Sequence, residues 1–167
     1  MLLAKHKRQI GFTIVELLIV IVIIGILAAI TIVAYNGIQE RANFSKSQSD
    51  LSALNKAIQL YYAENGSYPS PTSGCTNGWC GWDQATDDNF IPGLVPKYIA
   101  STPQLPTSNA SNNTYLYSST NGTTYRLMRY KADTAGLSTI ERTDNPLLAS
   151  PAFSTTGWGY KSSNVAW

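Results

Sequence analysis

Residues 17–35 read LLIVIVIIGILAAITIVAY, a run without a single charge. Coiled as a helix with a rise of 1.5 Å per residue, such a run is about as long as the roughly 30 Å hydrocarbon core of a bilayer is thick. It predicts a membrane-spanning helix. Lys5, Lys7 and Arg8 cluster ahead of it, while Glu40 and Arg41 cancel just after it, so the positive-inside bias puts the N-terminus in the cytoplasm. A cleaved secretory signal is the competing reading, but the run exceeds a 7 to 15 residue signal core, and the small residues Ala28, Ala29 and Thr31 lie within a pattern that continues as helix. A retained anchor fits better. Glu16 stands immediately before the run, and a carboxylate at mid-membrane costs about 2.5 to 3.5 kcal/mol, less near an interface. Either Glu16 lies at headgroup level or it needs a partner, and its own segment offers none that is obvious.

The residues around Glu16 read Lys7-Arg8-Gln9-Ile10-Gly11, then Phe12-Thr13-Ile14-Val15-Glu16-Leu17-Leu18-Ile19-Val20. This stretch resembles the signal of type IV prepilins and type II secretion pseudopilins. The resemblance implies that a membrane peptidase cuts between Gly11 and Phe12, that the new N-terminal Phe12 is methylated, and that Glu16 meets the N-terminal amine of a neighbouring subunit during assembly. The likeness continues through Ile24 to Ile30, and more loosely through Tyr61 to Pro69 and Leu94 to Ile99. The proline that many members carry in this helix has no counterpart at Thr31, Ile32 and Val33. The fold class implied is α+β, a pilin-like fold in which a long N-terminal α-helix, its first half transmembrane, packs on a small C-terminal antiparallel β-sheet. Four segments follow: a leader at 1–11, a transmembrane and assembly half of the helix at 12–35, a soluble half at 36–65, and an extracytoplasmic globular β domain at 66–167.

Beyond the apolar run, Phe44, Leu51, Leu54, Ile58 and Tyr61 are spaced 7, 3, 4 and 3 apart with polar residues between them. That is one apolar stripe on a continuing helix, with Tyr61 and Tyr62 assigned to packing. Asn65-Gly66 supplies a left-handed stop. From 67 to 107 recurrent prolines predict a surface excursion without long regular elements. Residues 114–119 and 124–131 alternate as strands around Asn121-Gly122, a favoured hairpin turn pair. A third strand is expected at 137–143, LSTIERT, and Phe153, Trp158, Tyr160 and Trp167 of the tail either close the sheet or present an aromatic surface.

Charged residues make up 13% of the chain, against about 25% in ordinary soluble domains, and the net charge is +2. No nucleic-acid footprint is visible. His6, the one histidine, lies in the leader, so no cofactor, no catalytic residue and no zinc site is expected. Asp83, Asp87, Asp88 and Asn89 could contribute to a calcium site but lack EF-hand spacing, and a solvated loop is the favoured reading. Cys75 and Cys80, four residues apart between, should pair if the domain is exported. The expected role is a structural filament subunit, not an enzyme, with a secretion pseudopilin or a minor or tip pilin as the alternative. Its partners would be like subunits, the prepilin peptidase, pilus or secretion platform proteins, and membrane lipid before assembly.

Overall fold

A computed structural model of the chain describes residues 11–71, 75–82, 90–105, 113–132, 136–143, 155–163, 165 and 167. Lys5, Lys7, Arg8 and His6, the cluster from Asp83 to Asn89, and Phe153 lie outside these residues. The chain divides into two compact units, Met1–Gln39 and Glu40–Trp167. The architecture is α+β: a long helix whose N-terminal part is apolar and whose C-terminal part packs on a small antiparallel sheet.

Helix α1, Ile14–Asn65, is one continuous element of 52 residues. It stays unbroken through Thr31, where the Thr31 hydroxyl donates to the Leu27 carbonyl at 2.7 Å and so satisfies its polar group within the apolar run. Its end is the expected one. Gly66 takes a φ of +70°, and its N–H donates to the Tyr62 carbonyl at 2.8 Å, which closes the last turn.

In the second unit the buried face of α1 is Phe44, Ser47, Leu51, Leu54, Ala57 and Ile58, with Tyr61 half-buried. Ser47 fills the gap of seven in the apolar stripe, so that steps of three and four run without interruption from Phe44 to Tyr61. Tyr62 is largely exposed, yet its ring stacks on Tyr68 with centroids 4.4 Å apart.

The sheet runs β1 (Cys75–Thr76), β2 (Trp79–Cys80), β3 (Asn113–Thr120), β4 (Thr124–Lys131) and β5 (Gly157–Lys161), antiparallel throughout and in chain order. The β3–β4 hairpin turns at Asn121 and Gly122, both at positive φ, as its sequence predicts. Tyr115, Tyr117, Tyr125, Leu127 and Trp158 join the helix residues in one core, and Trp158 meets Phe44 edge-on at 5.7 Å. On the opposite face Leu116 and Met128, paired in register, are buried as well.

Buried phenols need partners, and three of them tie the sheet to neighbouring chain. The Tyr115 hydroxyl donates to Asp50 at 2.8 Å, and Asp50 also accepts from Lys46 at 2.5 Å. Tyr117 donates to the Pro69 carbonyl at 2.7 Å, and Tyr125 donates to Asn55 at 2.6 Å while accepting from Gln59 at 2.9 Å. Burial raises the pKa of all three, Tyr125 to about 12. They stay neutral donors at any physiological pH.

The strand expected at 137–143 is not there. Residues Thr139–Thr143 form a short helix, α2, because Ser138 and Glu141 make a capping box: the Ser138 N–H donates to Glu141 Oε2 at 2.9 Å and the Glu141 N–H to Ser138 Oγ at 3.3 Å. The place beside β4 is taken instead by β5 from the tail, which answers for Trp158 and Tyr160 in favour of closing the sheet. Gly159 makes that pairing possible, since a Cβ there would lie 1.9 Å from the Leu127 carbonyl oxygen and 2.7 Å from Met128 Cα.

Two outcomes follow. Gly159→Ala should lower stability by about 1 to 3 kcal/mol, the range for overpacking a full core, read as a shifted denaturant midpoint for the full chain in detergent. An unchanged midpoint would show that β5 does not pair so closely. At the end of α1, Glu64 accepts from Lys97 and, at 2.7 Å, from the Tyr98 hydroxyl, and these bonds, Lys97 first, lower its pKa below 4.5. The linkage contribution is therefore in place above pH 4.5 and fades as pH falls through the depressed value. Carbon NMR titration of the Glu64 carboxyl should give a midpoint under 4.5 that Lys97→Met moves upward.

Candidate functional site

The candidate site is the head of α1. Gly11 and Phe12 precede the helix in irregular, exposed chain, and nothing approaches within 4 Å of the position a Gly11 Cβ would occupy. Thr13 is the N-cap, Ile14 the first helical residue and Glu16 the third. The Leu17 N–H donates to the Thr13 carbonyl at 3.3 Å, the first bond of the ladder.

Glu16 does have a partner in its own segment, contrary to expectation. The Thr13 N–H and the Thr13 hydroxyl both donate to Glu16 Oε2 at 2.8 Å, and the Glu16 N–H donates back to Thr13 Oγ1 at 3.2 Å. This is a capping box, and Thr13-x-x-Glu16 is its ordinary sequence sign, so the role of Thr13 is legible in the sequence. Two N-terminal donors that a helix leaves unpaired are thereby satisfied, and a negative charge sits at the positive end of the helix dipole. Both lessen the cost of keeping a carboxylate beside an apolar run. Both of these bonds to the carboxylate fall on Oε2.

Behind the cap, α1 is apolar on every side. Large apolar side chains from Phe12 to Ile38 stay exposed, from 88% at Phe12 to 49% at Val22. The helix is long and apolar enough to cross a membrane. A helix that is apolar all round belongs in a protein interior or in lipid, and no described residue of the first unit covers it.

The other sequence-derived candidates lie elsewhere. Cys75 and Cys80 are joined in a disulfide across the β1–β2 hairpin, whose turn is Asn77-Gly78. This hairpin stands where the sequence predicts an irregular excursion, although Asn-Gly between Thr76 and Trp79 is the same turn sign that marks the β3–β4 hairpin. Among the described residues no group of three or more His, Cys, Asp or Glu could hold a metal.

Comparison with known proteins bears on this same end of the chain. Residues 6–32 match the family described as "Prokaryotic N-terminal methylation motif". The chain is 41% identical over 70 residues to type II secretion system core protein G of Aeromonas hydrophila, covering 42% of this chain and 49% of that protein. It is 40% identical over 67 residues to the protein of that name from Escherichia coli K12, covering 40% and 46%. Against its counterpart in Vibrio cholerae it is 37% identical over 70 residues, covering 42% and 48%. The chain thus spans about half the length of the curated relatives it matches. No solved structure matches.

Replacing Thr13 by Val should remove both side-chain bonds of the cap and cost the helix start about 1 kcal/mol, the usual loss for an N-cap. Amide exchange at residues 14–17 in micelles should quicken by about fivefold, as that free energy requires, while Thr13→Ser should leave it nearly unchanged. Equal exchange in all three proteins would mean that the box does not hold.

Proposed function

We propose, from the type IV pilin and pseudopilin motif that this chain carries, that it is a structural subunit of an extracytoplasmic filament. It is made as a single-pass membrane protein with its N-terminus in the cytoplasm, is cut by the prepilin peptidase between Gly11 and Phe12, and assembles through α1. The observation that carries the reading is the head of that helix: one carboxylate, held by a capping box, in front of a helix that is apolar on all sides. Lipid covers the helix before assembly, and like subunits cover it afterwards. Lys5, Lys7 and Arg8 keep the leader on the cytoplasmic side, where the peptidase acts.

Cleavage turns the Phe12 nitrogen into an ammonium two residues before Ile14, where α1 begins. Glu16 Oε2 already serves Thr13, so Oε1 is the oxygen that takes the ammonium of an incoming subunit. An ion pair out of water is tolerable only when hydrogen-bonded, and removing one partner costs about 3 to 5 kcal/mol because the other charge is left uncompensated. The role needs no cofactor and no catalytic residue.

One observation favours the secretion branch of the alternatives. The relatives named above are type II secretion system core proteins, which puts a secretion pseudopilus, built with that system's platform proteins, ahead of a surface pilus.

Glu16→Ala tests the mechanism. The variant should insert in the membrane and be cut as before, giving a mature chain that starts at Phe12 by mass spectrometry, since the leader charges and the apolar run are untouched. Filaments in the sheared fraction should fall by about 10²- to 10³-fold, which is what the lost ion pair amounts to at 1.4 kcal/mol per factor of ten. Normal filament yield from Glu16→Ala would reduce Glu16 to an interfacial side chain and overturn the proposal.

A further inference from the structure

The chain contains four Asn-Gly pairs: 36–37, 65–66, 77–78 and 121–122. In an Asn-Gly pair the glycine amide nitrogen can attack the asparagine side-chain carbonyl carbon. The side-chain nitrogen leaves as ammonia and a five-membered succinimide forms. Water then opens the ring at either carbonyl, giving aspartate or isoaspartate, so the balance is one amide plus one water to one carboxylic acid plus one ammonia. No oxidant, reductant or enzyme is required. What decides the rate in a folded chain is whether the glycine nitrogen and the asparagine side chain are free to meet.

Three of the four pairs are restrained. Gly37 lies inside α1, where its peptide is committed to the helix ladder. At 65–66 both reacting groups are engaged: the Gly66 N–H donates to Tyr62 O at 2.8 Å, and Asn65 Nδ2 donates to Tyr61 O at 2.8 Å and to the Tyr98 hydroxyl at 3.2 Å. Gly122 is buried, its carbonyl accepts from the Tyr68 N–H at 2.8 Å, and its Cβ direction points at Ser67 Cβ at 3.1 Å. The turn around it is closed further by Thr123, whose N–H and hydroxyl both donate to Thr120 O, at 2.9 and 2.7 Å.

Asn77-Gly78 has the same turn conformation, with φ of 54° and 78°, and different surroundings. Both residues are exposed, and nothing lies within 4 Å of the Gly78 Cβ position. The strands that flank it are two residues each and form one edge of the sheet, whereas those flanking Asn121-Gly122 are eight residues each. The Cys75–Cys80 bond holds the base of this hairpin, so its local freedom lies in the exposed turn residues themselves.

We propose that Asn77 is a site of spontaneous succinimide-mediated deamidation, the one Asn-Gly pair of the four that the fold leaves reactive. The product places a carboxylate at the tip of the disulfide hairpin. In its isoaspartyl form it also inserts a methylene into the backbone of a two-residue turn. The Cys75–Cys80 bond keeps the two strands joined after the turn has changed. This inference does not depend on the filament reading.

The test is peptide mapping by mass spectrometry of the purified full chain, incubated at mildly alkaline pH both folded in detergent and unfolded in denaturant. In the folded chain Asn77 should deamidate about tenfold or more faster than Asn36, Asn65 and Asn121, the ratio expected when only one turn opens readily. In denaturant with the Cys75–Cys80 bond reduced the four rates should converge, which shows that packing and not sequence sets the order. Equal rates at Asn77 and Asn121 in the folded chain, or an order that persists in denaturant, would overturn it.

Discussion

A helix that exposes apolar side chains around its whole circumference has to be covered by something other than water, and the head of α1 is organised around that demand. From Phe12 to Ile38 the large side chains lie open. Inside hydrocarbon, polar groups must find partners within the segment, because no water is present to serve them. Thr13, Glu16 and Thr31 follow this rule: Thr31 bonds back to Leu27, and Glu16 and Thr13 bond to each other. Glu16 differs in carrying a charge, which Thr13 meets at Oε2 with two donors.

The second unit solves an ordinary problem by ordinary means. A 3,4 stripe on α1 covers one face of the sheet, and the phenols of Tyr115 and Tyr125 reach past the apolar core to Asp50 and to Asn55 on the helix. These bonds stabilise modestly, about 1 kcal/mol each, or somewhat more at the charged Asp50. They also set register. A phenol that has left water must reach its acceptor, so sliding the helix by one residue would leave buried hydroxyls unpaired at about 1 to 3 kcal/mol apiece.

Capping boxes recur at very different scales. One starts α1, a helix of 52 residues, and the other starts α2, a helix of five. In each, a hydroxyl residue followed three positions later by Glu satisfies donors that the helix cannot. The same local chemistry therefore serves an anchor in one place and a short turn of chain in another. Which of the two it becomes is decided by the length of apolar sequence that follows, about two dozen residues after Glu16 and almost none after Glu141.

How much of this was legible in advance follows from the range of each interaction. The apolar run, its charge flanks, the helix stop at Asn65-Gly66, the stripe from Phe44 to Tyr61 and the Asn121-Gly122 hairpin are local, and the sequence by itself determined them, because periodicity and turn chemistry act within a few residues. The capping boxes at Thr13 and Ser138 and the Asn77-Gly78 turn were equally local and were there to be read. The tertiary structure alone decided that 157–161 pairs with β4. Strand propensity is weak, and a site beside a sheet goes to whichever segment buries most against it. Trp158 fills the core against Phe44, and Gly159 lets the backbones close, whereas Ser138 and Glu141 had already committed their stretch to a turn of helix.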